Sequence, residues 1–179
     1  ALVAFTRAAR AAPSAAAQLR RGAVLQALGR LDEAADAFRA ALALAPDSFD
    51  AALKLGLCLR QAGDVAGARD ALERAAALDP DVAQAWFALG LARQDARDFA
   101  AACAAYRTTL ALRPDLAEAA VNLGICLQQS GDMAAAKDAY RGALRPRRDA
   151  FGRIAQALAA APTGEVWLDL GALRRSLDG

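Results

Sequence analysis

Four glycines recur at a single interval along this chain and set its architecture. They are Gly22, Gly56, Gly90 and Gly124, each 34 residues from the next. Three further columns keep the same interval: an alanine, a large apolar or aromatic residue, and a proline. Their members are Ala34, Ala68, Ala102 and Ala136; Phe38, Leu72, Tyr106 and Tyr140; and Pro46, Pro80 and Pro114. The chain is therefore a tandem repeat, in which each unit packs on its neighbours.

Composition and turn residues indicate that each unit is a pair of helices. Hydrophobic residues make up 56% of the chain, a fraction inflated by alanine, and aromatics only 6%, which favours helices over strands. Gly29, Gly63 and Gly131 stand between the paired helices, where glycine adopts the left-handed cap conformation. Arg97 takes that place in the third unit, at a cost of roughly 1 kcal/mol if the geometry is kept.

These columns resemble the tetratricopeptide repeat (TPR) family, whose 34-residue unit carries W-x₂-L-G-x₂-Y followed by Ala, Phe and Pro. The third unit matches this pattern at Trp86, Leu89, Gly90, Ala102, Tyr106 and Pro114. The tyrosine three residues after the glycine is replaced in every unit, and Arg93 at that place predicts looser packing in the third unit. The resemblance implies an all-α, right-handed α-solenoid of helix–turn–helix units with C-terminal capping helices.

The repeat predicts the organisation of the chain. Residues 1–14 match the second helix of a partial repeat, so we expect the chain to begin within a repeat of a longer array. Full units are predicted at 15–48, 49–82, 83–116 and 117–150. The pattern then fades, and residues 151–179 are predicted to form a C-terminal helical cap and tail.

The first helix of each unit has a second face, about 130° from the face that carries the signature. It holds the residues three before, one after and four after each glycine. The resemblance implies that this side lines a concave groove that binds peptides. The predicted groove residues are Leu19, Ala23 and Gln26; Leu53, Leu57 and Arg60; Phe87, Leu91 and Gln94; and Val121, Ile125 and Gln128.

An apolar floor of this kind predicts a protein–protein interaction scaffold or adaptor. The partner would be an amphipathic helix or an extended peptide with apolar anchors. Three alternatives stay open. The groove is filled by the chain's own C-terminal segment or by a second copy in a homo-oligomer; its residues only pack in the core; or the chain is the targeting segment of a larger enzyme, such as a glycosyltransferase.

Two specialised sites of the family are not found in this sequence. The cationic clamp for terminal carboxylates is absent. The asparagine ladder is also missing, its column reading Arg20, Lys54, Ala88 and Asn122.

The sequence disfavours catalysis and tightly bound groups. Histidine is absent, which removes the commonest general base and metal ligand. Cys58, Cys103 and Cys126 are too widely spaced for a disulfide framework or zinc site, and we interpret Cys58 and Cys126 as small core residues. We therefore predict no enzyme activity, cofactor, metal or small-molecule substrate.

Charge and hydropathy disfavour nucleic-acid and membrane partners. The net charge is +2 with both signs interspersed, and no apolar run is long enough to span a bilayer. A basic cluster at the end of the array is interpreted as a solvated surface or a contact for an acidic partner; its members are Arg141, Arg145, Arg147, Arg148 and Arg153. The cysteine pattern favours a cytoplasmic location, with the periplasm as the open alternative.

Overall fold

The computed structural model describes residues 14–144, 151–159 and 175, and over these ranges the chain is helical without strands. The predicted partial repeat before Ser14, and most of the predicted tail after Ala159, lie outside the described residues. The helices are α1 (Ala15–Ala27), α2 (Leu31–Leu44), α3 (Phe49–Ala62), α4 (Val65–Leu78), α5 (Ala83–Asp95), α6 (Phe99–Leu112), α7 (Ala117–Gln129), α8 (Met133–Leu144) and α9 (Phe151–Ala159).

The chain divides into two compact units, residues 1–96 and 97–179. Within the first unit, helices α1 to α5 each pack on the helix that follows in sequence. In addition, α1 contacts α3, and α3 contacts α5. Within the second, α7 packs between α6 and α8 and also touches α9. In both units, consecutive antiparallel helices thus form the layers expected of stacked helical repeats.

Side chains at the helix starts satisfy backbone N–H groups that have no partner within the helix. Ser14 and Ser48 do so for α1 and α3, and Asp64, Asp98 and Asp132 for α4, α6 and α8. Each side-chain oxygen accepts a hydrogen bond from the backbone N–H three residues later, at 2.9 to 3.2 Å. The serines follow the links between repeats and the aspartates follow the turns inside them, so side-chain caps occur at both kinds of helix start, although α2, α5 and α7 have none.

The repeat's glycines allow the second helix of each pair to approach the first closely. A Cβ atom at Gly22 would lie 2.5 Å from a ring carbon of Phe38, and one at Gly56 would lie 2.4 Å from Leu72 Cγ. Phe38 and Leu72 are fully buried. The glycine column and the large apolar column therefore describe one contact, in which a bulky side chain rests on bare helix backbone.

The turn at Arg97 keeps the left-handed conformation of the other turns. Its φ is +60°, against +74° at Gly29, +85° at Gly63 and +87° at Gly131. The Arg97 guanidinium lies 5.4 Å from the centre of the Phe99 ring, a distance at which a cation–π contact forms. The turn geometry predicted from the glycine pattern is thus kept even where a side chain makes it unfavourable.

Replacing Arg97 with glycine is expected to raise the free energy of unfolding by about 1 kcal/mol, because the left-handed conformation then carries no Cβ penalty. Urea unfolding followed by circular dichroism would measure the gain. The reverse change, Gly63→Ala, should cost a similar amount. A loss of stability in Arg97→Gly would mean that the contact with Phe99 outweighs the backbone strain.

The three cysteines are free and buried, as expected for Cys58 and Cys126 as small core residues. Cys58 donates a hydrogen bond to the backbone oxygen of Leu31 at 3.4 Å. The thiols of Cys103 and Cys126 are close enough to shift each other's pKa. Burial, together with the neighbouring Cys103 thiol, raises the pKa of Cys126 to about 12. The folded chain therefore keeps Cys126 protonated at pH values where an exposed thiol ionises.

Stability is expected to fall as the pH rises above about 9, the ordinary pKa of a thiol. The pKa of Cys126 is higher in the folded chain, so its contribution is complete below pH 9 and is lost between pH 9 and 12. The slope approaches ~1.4 kcal/mol per pH unit for one proton. Urea unfolding at increasing pH would measure it. The Cys126→Ala variant should show a shallower slope, and an unchanged slope would assign the effect to other groups.

Candidate protein-binding face

The twelve predicted groove residues differ widely in exposure. Four of them stand three residues before a repeat glycine. Of these, Leu53 and Val121 are buried, with 6% and 1% of their surface exposed, whereas Leu19 and Phe87 are half-buried. Among those one place after it, Ala23 is exposed, and Leu57, Leu91 and Ile125 are half-buried. The column that follows the glycine is therefore the more accessible part of the predicted floor.

In the first unit, two members of the predicted polar ridge, four places after the repeat glycine, are tied to the next first helix. Gln26 Nε2 donates to Gln61 Oε1 at 3.2 Å, joining α1 to α3. Arg60 Nε donates to Asp95 Oδ2 at 2.7 Å, joining α3 to α5. In both pairs the acceptor lies five places after its own glycine. The ridge thus acts first as a set of links between neighbouring repeats.

In the second unit, α9 covers part of α7. Gln128 is only 4% exposed; its Oε1 accepts a hydrogen bond from Tyr140 Oη at 3.1 Å, and its Nε2 donates to the Ala157 backbone oxygen at 2.8 Å. Arg153 of α9 donates to Asn122 Oδ1 at 3.5 Å. Val121 and Gln128 therefore lie in the interior of this unit, and Ile125 is the predicted residue of α7 that keeps accessible surface.

The first unit has an exposed stripe that the sequence reasoning did not single out. On each first helix the stripe takes four positions: six residues before the glycine, two before it, one after it and five after it. These positions follow the spacing i, i+4, i+7 and i+11, so they share one side of the helix. The members of the stripe are Ala16, Arg20, Ala23 and Ala27 on α1; Asp50, Lys54, Leu57 and Gln61 on α3; and Gln84, Leu91 and Asp95 on α5. We call this set the first-unit face. Ala88, the remaining position on α5, is buried.

The signal for this stripe was present in the sequence. Arg20 and Lys54 occupy equivalent places on α1 and α3, and both are exposed. Both belong to the column in which the family's asparagine ladder is missing, and Lys54 also occupies one position of the cationic clamp that the sequence lacks. The 34-residue spacing of two cations, each three residues before a floor position, could have identified them as surface residues of the same stripe.

Two kinds of feature are not found within the described ranges. No group of three or more His, Cys, Asp or Glu side chains there could hold a metal ion. No helix there is long and apolar enough to cross a membrane.

Several solved structures share this fold. The crystal structure of MamA superposes with a TM-score of 0.79 at 24% identity, covering 82% of this chain and 86% of that one. MamA from Desulfovibrio magneticus RS-1, from residue 41 to the end, gives 0.77 at 24%, covering 82% and 84%. YrrB, described as a TPR protein with an unusual peptide-binding site, gives 0.77 at 20%, covering 99% and 93%. At these identities the likeness establishes the fold, and it confirms the predicted helical solenoid.

A protein-family model matches most of this sequence. No curated protein sequence matches it significantly. The family model described as tetratricopeptide repeat matches residues 1–49, 19–83, 53–93 and 87–153. Stacked repeats of this kind present extended surfaces that bind other proteins. With matches that together run from residue 1 to 153, this chain belongs to the tetratricopeptide repeat family.

Proposed function

We propose that this protein is an interaction module that binds a protein segment with apolar anchors on the first-unit face. The observation that carries the proposal is the pair Leu57 and Leu91. They occupy equivalent places on α3 and α5, and both keep accessible surface on the exposed stripe. Phe87 lies beside the face, one turn before Leu91, and is also half-buried. Apolar side chains grouped on one exposed face mark an interaction surface.

The spacing of the floor residues fits a regular partner. Packed helices lie about 10 Å apart, so the equivalent positions Leu57 and Leu91 should be separated by about that distance. A helical partner spans it with residues i and i+7, since each residue advances about 1.5 Å. An extended partner in the polyproline II conformation spans it with residues i and i+3, since three residues complete one turn at about 3.1 Å each. YrrB, which shares the fold, is described as having a peptide-binding site, and this supports peptide binding as a use of such repeats.

A selection from a random peptide library displayed on phage, with the full chain as bait, tests the proposal. Peptides selected on the parent protein should bind the variant carrying Phe87→Glu and Leu91→Glu at least tenfold more weakly, because carboxylates replace the apolar contacts. Circular dichroism would confirm that the variant is folded. Fluorescence anisotropy with the selected peptides would give the affinities.

The matched control places the same charges on leucines outside the face. Leu44 and Leu78 lie near the ends of α2 and α4, with 48% and 37% of their surface exposed. The variant carrying Leu44→Glu and Leu78→Glu should bind the selected peptides as the parent does. Peptides that bind both variants equally well, or a selection that enriches no peptide, would contradict the proposal.

A further inference from the structure

We infer that the partner of the first-unit face carries carboxylates beside its apolar anchors, and that Arg20 and Lys54 bind them. This inference rests on the proposed function and names the chemical class of its partner. The two cations lie at equivalent positions on α1 and α3, which touch each other. The expected ligand is an acidic, amphipathic protein segment.

Arg20 and Lys54 differ from the other basic residues of α1 to α5. Neither forms an ion pair or side-chain hydrogen bond with the described part of the chain. The remaining basic side chains of the described first unit all have acceptors: Arg21 with Gln18, Arg30 with Glu33, Arg39 with Asp36, Arg60 with Asp95, Arg69 with Asp70, Arg74 with the Pro46 backbone oxygen, and Arg93 with Glu73. Two exposed cations at equivalent places are thus left available to an external anion.

Both cations stand next to the apolar floor. Ala23 is three residues after Arg20, and Leu57 is three residues after Lys54, so each pair shares one side of its helix. A segment whose anchor rests on Leu57 therefore brings its neighbouring side chains within reach of Lys54. The exposed, small Ala23 leaves space beside Arg20 for a larger partner side chain.

The other charges of the stripe leave this positive pair uncompensated. Asp95 is paired with Arg60 at 2.7 Å and contributes no net charge. Asp50, one turn before Lys54, is the remaining acid of the stripe and is exposed. Counted together with Arg60, the partner of Asp95, the first-unit face carries a net charge of +1, which complements an acidic partner. Asp50 also provides a test in the opposite direction, because removing its negative charge should strengthen the attraction between the face and an acidic partner.

Peptides from the phage selection provide the test of charge. We expect the enriched sequences to combine apolar residues with an excess of Asp and Glu. Neutralising both cations, in the variant carrying Arg20→Gln and Lys54→Gln, should weaken their binding about tenfold, the combined effect of two exposed ion pairs. Asp50→Asn should strengthen binding about twofold. Both effects should shrink as salt is added, because exposed charges are screened over about 8 Å at physiological ionic strength.

The control variant neutralises arginines of the same unit that lie outside the face. Arg39→Gln with Arg69→Gln, on α2 and α4, should leave the affinity unchanged. If the selected peptides are neutral or basic and ignore Arg20→Gln and Lys54→Gln, yet are lost with Phe87→Glu and Leu91→Glu, this inference is wrong and the proposed function stands. If they ignore both double variants, both are wrong. A dimer in sedimentation that dissociates with Phe87→Glu and Leu91→Glu would make a second copy the occupant and would also overturn the inference.

Discussion

The Gly124→Ala variant is expected to be less stable than the parent by about 2 kcal/mol, although alanine forms helices more readily than glycine. The new Cβ would lie 2.3 Å from Cε1 and 2.5 Å from Cδ1 of Tyr140. That ring is fully buried, and its hydroxyl is held by Gln128, so it cannot turn aside without losing a hydrogen bond. Overpacking of this kind costs about 1 to 3 kcal/mol, more than the 0.5 to 1 kcal/mol that alanine gains in a helix.

Gly142 provides the control for Gly124 within the same unit. It lies on α8, is exposed, and has no neighbouring atom within 4 Å of a Cβ built on it. Gly142→Ala should therefore raise the free energy of unfolding by about 0.5 to 1 kcal/mol. Urea unfolding of the two variants and the parent would measure the difference. Equal stabilities for Gly124→Ala and Gly142→Ala would show that Tyr140 yields easily and that close approach is not the reason for the glycine.

The fold was predictable because it depends on a period rather than on single residues. The 34-residue columns identified helix pairs, and the glycine at each inner turn placed the break between them. Even Arg97, where the glycine is missing, follows the geometry of the other turns. At Arg93, where the sequence predicts looser packing of the third unit, the guanidinium donates to Glu73 at 3.0 Å and the side chain is only 20% exposed. An ion pair at that position is not visible from the sequence of one helix.

The candidate site was only partly predictable, because the angular position of a residue on one helix does not tell what packs against it. Leu53 and Phe87 occupy the same column, yet Leu53 is buried and Phe87 keeps accessible surface. Gln26 and Gln128 also share a column, but Gln26 bonds to Gln61 on the surface while Gln128 is buried. The sequence defined which columns matter, and the neighbouring helices decide which of their members a partner can reach.

The burial of Gln128 predicts a second large effect on the free energy of unfolding. Gln128→Ala is expected to lower the free energy of unfolding of the second unit by about 3 kcal/mol and to detach α9. The change removes the acceptor of the buried Tyr140 hydroxyl and the donor to the Ala157 backbone oxygen, and each buried polar group left without a partner costs about 1 to 3 kcal/mol. A helix as short as α9 is not stable in water unless it is docked.

Hydrogen exchange would detect this detachment as lost protection of the amides of α9, alongside a lower urea midpoint. Gln26→Ala supplies the matched control: it removes an amide at the same place of the repeat, whose partner Gln61 is exposed to water, and should cost less than about 1 kcal/mol. If α9 keeps its protection in Gln128→Ala, its remaining contacts, the buried Ile154 and the hydrogen bond from Arg153 to Asn122, are enough to dock it. In that case the hydrogen bonds of Gln128 would satisfy polar groups of this unit without holding α9 in place.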